Sequence, residues 1–160
     1  MSLSKATAQL EKYGLADRII ITEQSSATVE LAAEALGCKP EEIAKSMTFF
    51  GREDTVIMIL AAGDVKIDNR KFKDEFGLKP KMLPHDETEQ LIGHGAGGIC
   101  PFGVNANVKV YLDCSLKRFE TVYPAAGTAN SGVRLTLSEL EKASECEKWV
   151  DVCKMREQEA

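Results

Sequence analysis

Two apolar runs, residues 46–50 and 55–61, stand on either side of the polar tetrapeptide Gly51-Arg52-Glu53-Asp54. So short a connection has no room for a crossover helix, and the runs must pair antiparallel as a hairpin. This constraint excludes an all-parallel wound sheet, although helices and strands otherwise interleave along the chain. What remains is the α/β (α+β) class with a mixed sheet, expected as a single domain over residues 1–160.

Local signals place the other elements. Residues 4–13 read as a helix closed by Gly14, and residues 18–22 as a β-branched strand. Thr28 caps a helix that runs to Leu36 and ends at Gly37, and Pro40 opens a short helix through residue 44. Asp68 caps a basic helix to Phe76, which Gly77 ends. A short extended run at 79–83 precedes Asp86 and Glu89, spaced as a capping box for a helix through Ile92. Strands are expected at 108–112, 120–123 and 133–137. Ser138 with Glu141 then opens a helix toward Ala143. From Cys146 onward the pattern is weak, and the last residues are expected to fray.

Composition narrows the function classes. Apolar residues make up 44% and charged residues 28%, as in ordinary globular chains. Cys38, Cys100, Cys114, Cys146 and Cys153 form no CxxC pair and keep no zinc spacing with His85 or His94, so no metal or cofactor is expected. The start Met1-Ser2-Leu3-Ser4-Lys5 lacks an apolar signal core, and no apolar run reaches the ~20 residues of a spanning helix. A cytoplasmic protein without a membrane partner is the expectation. Net charge of −5 argues against non-specific coating of nucleic acid, and no DNA partner is expected. Residues 66–81 nevertheless gather Lys66, Arg70, Lys71, Lys73, Lys79 and Lys81 against Asp68, Asp74 and Glu75. That segment is either a solvated helix face or a surface for brief contact with a polyanion.

Three features carry chemistry. Five of the twelve glycines fall between residues 93 and 103, in Gly93-His94-Gly95-Ala96-Gly97-Gly98-Ile99-Cys100-Pro101-Phe102-Gly103. A loop of this kind lets something approach bare backbone, or is a wide turn; it matches neither a Walker loop nor a dinucleotide fingerprint. Lys45, in Ile43-Ala44-Lys45-Ser46-Met47, stands at the entry to an apolar run, where a buried ammonium must be paired or used. A late turn, Pro124-Ala125-Ala126-Gly127-Thr128, separates two strand candidates.

In order and spacing these pieces resemble the YbaK and prolyl-tRNA-synthetase-associated editing family, over about residues 10–143. Ala61-Ala62-Gly63-Asp64 and Val110-Tyr111-Leu112-Asp113 complete the resemblance. It implies a strongly curved mixed sheet, nearly a barrel, flanked by helices. It also implies hydrolysis, in trans and without metal, of the ester on mischarged tRNA, with aminoacylated tRNA(Pro) as partner and prolyl-tRNA synthetase or an elongation factor presenting it. By motif position, Lys45 would be the essential lysine, with Gly97 and Gly98 beside it at the catalytic centre. Ser46, His94, Pro101, Gly103, Gly127 and Thr128 would bind substrate. The Ala125-Ala126-Gly127 turn looks more like the branch that clears alanine or 2-aminobutyrate than like the cysteinyl-tRNA(Pro) branch. Two alternatives stand beside this reading: a non-catalytic tRNA- or protein-binding module on the same fold, and a nucleotide binder using the glycine loop.

Overall fold

The computed structural model describes residues 2–23, 28–95 and 97–155. At its centre is strand β3 (Val56–Ala62), all seven residues of which are buried. A strand covered on both faces must be apolar throughout, and Val56-Ile57-Met58-Ile59-Leu60-Ala61-Ala62 is. Each large side chain buried there contributes about 1.5–3 kcal/mol. The expected hairpin joins it to β2 (Ala44–Phe50), with Lys45 opposite Ala61 and Phe50 opposite Val56. Both central residues of the connecting turn, Glu53 and Asp54, take positive φ of 53° and 65°. That is the turn sense whose twist suits a tight hairpin. On its other side β3 pairs parallel with β5 (Val108–Asp113), which pairs parallel with β9 (Lys148–Val150).

Three two-stranded antiparallel ribbons surround this sheet. They are β1 (Ile19–Ile21) with β7 (Ser131–Val133), β6 (Thr121–Val122) with β8 (Leu135–Thr136), and β4 (Val65–Ile67) with β10 (Cys153–Met155). The mixed sheet and the α/β class are as expected. The near-barrel is not: the central sheet, in the order β2-β3-β5-β9, is open at β2 and β9. Closure requires every edge to be paired around the ring. Here the chain leaves β9 and turns to pair β10 with β4, while beside β2 lie only isolated bridges, Ile43 with Tyr123 and Phe49 with Met82.

Among the described residues the α-helices are α1 (Ser2–Glu11), α2 (Val29–Leu36), α3 (Asn69–Phe76), α4 (Thr88–Ile92) and α5 (Leu137–Ala143). None is long and apolar enough to cross a membrane. The caps of α2 and α3 are those expected. Thr28 Oγ1 accepts from Leu31 N at 3.1 Å, and Asp68 Oδ1 accepts from Arg70 N and Lys71 N at 3.0 and 3.1 Å. The basic helix α3 is anchored by a run of rings: Phe49 to Phe72 at 4.9 Å, Phe72 to Phe76 at 4.7 Å, and Phe76 to Tyr111 at 4.9 Å.

Several boundaries differ from the sequence expectation. Asp86 and Glu89 make no capping box, because His85–Glu87 form a 3-10 turn and α4 starts at Thr88. The box that opens α5 is Thr136 with Glu139, two residues earlier than Ser138 with Glu141; β8 ends at Thr136 in extended conformation, which puts its hydroxyl at the helix start. The weakly patterned C-terminal stretch supplies β9 and β10, while residues 156–160, where fraying was expected, lie outside the described residues.

Candidate functional site

A cleft of about 200 Å³ opens where α2, the start of β2, the glycine loop and the late turn meet. Its walls come from Thr28, Val29, Ala32 and Leu36 of the α2 region, and from Ile43, Ala44, Lys45 and Ser46 at the β2 entry. Gly97 and Ile99 of the glycine loop, with Tyr123, Pro124, Ala125 and Ser131, complete them. The three segments singled out in the sequence therefore converge on one cavity.

Lys45 stands in β2 itself and is half-buried. Its ammonium donates to the carbonyl of Val65, at the start of β4. The turn before Val65 is fixed from both sides. Gly63 packs so closely that a Cβ there would lie 2.0 Å from Pro40 O, and Asp64 is clamped by Arg118, with Nη2 2.6 Å from Oδ1 and Nη1 3.0 Å from Oδ2. Arg118 holds the Asp64 carboxyl below the usual carboxylate range, and the charge of Lys45 adds to this. The neighbouring Ser46 hydroxyl is buried without a hydrogen-bond partner among the described residues. A buried hydroxyl left unpaired costs free energy, and one that faces a cleft is a ready contact for a ligand.

The glycine loop meets the late turn backbone to backbone. A Cβ on Gly98 would lie 2.4 Å from Gly127 O and 2.9 Å from Thr128 Cα. The Gly98 N–H is engaged within its own loop, donating to Gly95 O at 3.0 Å, so Gly98 contributes close approach rather than a donor to the cleft. Gly97, at φ +93°, is exposed at the cleft wall. Gly127 is buried at φ +99° behind Ala125. Thr128 is engaged in the turn: its Oγ1 lies 2.7 Å from Ser131 Oγ and 2.9 Å from Asn130 Oδ1. Asn130 in turn donates to Thr22 O at 3.2 Å, which ties the late turn to the end of β1.

The other expected substrate contacts lie elsewhere. His94 is fully buried, with Nε2 2.6 Å from Phe102 O and Nδ1 without a partner among the described residues. Burial pushes its pKa below 6.5. Cys100, fully buried beside it, has its thiol pushed up to about 12 by burial and is no nucleophile. Pro101 borders a separate hollow with Gln9 and Val104. At Gly103, φ is +71° and a Cβ would lie 2.6 Å from Lys5 C and O. Gln9 of α1 fastens this half of the loop, accepting from Gly103 N at 2.7 Å and donating to Ala143 O at 2.6 Å.

Sequence reasoning missed the α2 wall, Tyr123 and Ser131. The α2 signal was present in Val29, Ala32 and Leu36, which repeat at helical spacing. Ala33 goes to the core, however, and nothing local says that the adjacent stripe lines a cleft. No Asp, Glu, His or Cys lines this cleft among the described residues. Asp113, Cys114 and Asp151 do bring ligand atoms within 4.8 Å of one another elsewhere. Their oxygens are committed: Asp113 accepts from Ser115 N and Val152 N at 2.9 Å each, and Asp151 accepts from Lys71 Nζ at 3.1 Å.

Comparison with known proteins agrees with this geometry. The model of the aminoacyl-tRNA editing domain matches residues 23–143. The uncharacterized protein YwhH of Bacillus subtilis (strain 168) is 47% identical over 154 residues, covering 96% of this chain and 98% of YwhH. A proline–tRNA ligase of Limosilactobacillus fermentum is 32% identical over 95 residues, which are 56% of this chain and only 17% of the ligase. A crystal structure described as a candidate trans-editing enzyme for prolyl tRNA synthetase superposes with a TM-score of 0.85 at 27% identity, covering 96% of this chain and 97% of that one. The chain belongs to the aminoacyl-tRNA editing domain family.

Proposed function

We propose that the protein is a trans-acting, metal-independent deacylase that hydrolyses the ester of mischarged tRNA, its substrates being tRNA(Pro) carrying alanine, 2-aminobutyrate or cysteine. The observation that carries this reading is the convergence of Lys45, the glycine loop and the late turn on one small, largely apolar cleft. An aminoacyl ester is already activated, so a site that fixes its carbonyl and a water, and stabilises the developing oxyanion, is sufficient. Lys45 supplies positive charge at the cleft wall, held in place through Val65 O. Gly97 offers bare backbone there, and the unpartnered Ser46 hydroxyl is the contact for a substrate oxygen or amine. Ala32, Ala44, Ile99 and Ala125 suit a small aliphatic side chain.

Such a second pocket is needed because a synthetase distinguishes side chains that differ by one methylene by only about 1–3 kcal/mol. The partial match to a proline–tRNA ligase supports tRNA(Pro) as the carrier, and the prolyl-tRNA synthetase or an elongation factor as the protein that presents it. The test is single-turnover deacylation of Ala-, 2-aminobutyryl- and Cys-tRNA(Pro) by the wild type and by Lys45→Ala. Expected is hydrolysis of the small aliphatic esters, and a loss of about 100-fold or more in the variant. Undiminished hydrolysis would remove Lys45 from the mechanism. Binding of tRNA with no cleavage of any ester would leave a non-catalytic module.

A further inference from the structure

The ribbon of β4 and β10 sets Lys66 directly opposite Lys154. Both are exposed, while Val65 and Cys153 beside them turn inward. Like charges opposed across an antiparallel pair are destabilising. Neither ammonium has an ion pair among the described residues. Further cations flank the ribbon: Arg118 Nη1 lies 4.0 Å from Met155 Sδ at one end, and Lys71 Nζ donates to Cys153 O at 3.0 Å at the other. The carboxylates nearby are engaged, Asp64 by Arg118, Asp151 by Lys71, and Asp68 by the N–H groups of Arg70 and Lys71 at the start of α3. Lys66, Lys154 and the exposed Arg70 are left as unpaired positive charge on a chain whose net charge is −5.

The ribbon also begins where the cleft's lysine ends, because Lys45 donates to Val65 O and Lys66 is the next residue. A substrate whose aminoacyl end sits beside Lys45 must lead the rest of its strand away from the cleft. We propose that the β4–β10 ribbon is the RNA-docking surface, with Lys66 and Lys154 gripping successive phosphates of the acceptor strand as it leaves the cleft. This rests on the deacylase reading and adds the path of the nucleic acid. Lysines present point charges without the planar fork that fits one small anion, which suits a run of phosphodiesters. The opposed pair keeps its repulsion in the free protein and loses it when a polyanion lies across it.

The test measures binding of uncharged tRNA to the full chain across a salt series, for the wild type, Lys66→Gln, Lys154→Gln and the double variant. Exposed Lys109→Gln, at the opposite end of the sheet, is the control. The double variant should bind about 10- to 60-fold more weakly near 0.1 M salt, and the slope of log affinity against log salt should fall by about 1.4–1.8, for two phosphates released. Its thermal midpoint should stay level or rise, since repulsion is relieved, so weaker binding cannot be ascribed to unfolding. Unchanged affinity and slope in the folded double variant overturn the proposal, as does an equal loss in Lys109→Gln. The two readings separate cleanly. Pair-dependent tRNA binding by a protein that cleaves no ester keeps the ribbon and removes the deacylase. Ester cleavage with an unmoved salt slope does the reverse.

Discussion

The two halves of the glycine loop share a composition and do different work. In the cleft half, Gly97 is exposed at the wall, and Gly98 lets the loop lie against Gly127 and Thr128 of the late turn. In the core half, His94, Cys100 and Phe102 are wholly buried, and Gly103 lets the loop lie on Lys5 of α1. Glycine serves the same physical purpose in both, close approach of one backbone to another. The consequence is decided by what lies on the far side: a mobile ligand in one half, a helix in the other.

Substitution should split the halves. Gly98→Ala carries the largest expected effect. Its Cβ would meet Gly127 O and C at 2.4 and 2.6 Å, backbone atoms that cannot rotate away, so the loops must part and the cleft wall with them. A displacement of about 1 Å at a positioning wall costs on the order of 100-fold in rate, and deacylation should fall by that much. Gly103→Ala should act on stability instead. It combines φ +71° with contacts of 2.6 Å to Lys5 backbone, a cost of about 2–4 kcal/mol. Thermal melting and single-turnover kinetics on both variants check the division. If Gly103→Ala loses activity at a temperature where it is fully folded, or Gly98→Ala loses only stability, the two halves are not separate.

Features of the fold that were visible in the sequence are those specified locally. The hairpin around Gly51-Arg52-Glu53-Asp54 and the caps Thr28 and Asp68 each depend on residues within a few positions of one another. By contrast Lys148-Trp149-Val150 and Cys153-Lys154-Met155 show no alternation that would mark them as strands. They are strands because β5 and β4, far away in sequence, offer them edges. The misplaced start of α5 has a similar cause. Thr136/Glu139 and Ser138/Glu141 carry the same signature, and the end of β8 chooses between them. At the site, Lys45, Ser46 and Gly97 were marked by their segments and do line the cleft. His94, Pro101 and Gly103 were marked by the same loop and do not. Spacing identifies a loop that must approach something, but not which of its sides meets the ligand.

His94 gives the smallest effect and the finest test of the core half. Its Nε2, 2.6 Å from Phe102 O, must carry the proton in that bond, which leaves Nδ1 bare and the ring neutral. Burial lowers its pKa from 6.5, and the nearby charge of Lys5 from α1 pushes the same way. In the unfolded chain the imidazole takes up a proton as pH falls through about 6.5, whereas in the folded protein it does so only at lower pH. The unfolded state then binds more protons, so stability falls with pH from about 6.5 down to the folded value. His94→Gln should be less stable than wild type at pH 7.5, since Nε2 packing on Phe102 O is lost or weakened, yet its stability should change less between pH 7 and 5. Denaturant titrations at several pH values measure this, and parallel pH dependences for the two proteins would show that the ring is not held neutral in the core. Deacylation at pH 7.5 by the folded variant should stay within a few-fold of wild type, because the imidazole faces Phe102 and Cys100 rather than the cleft.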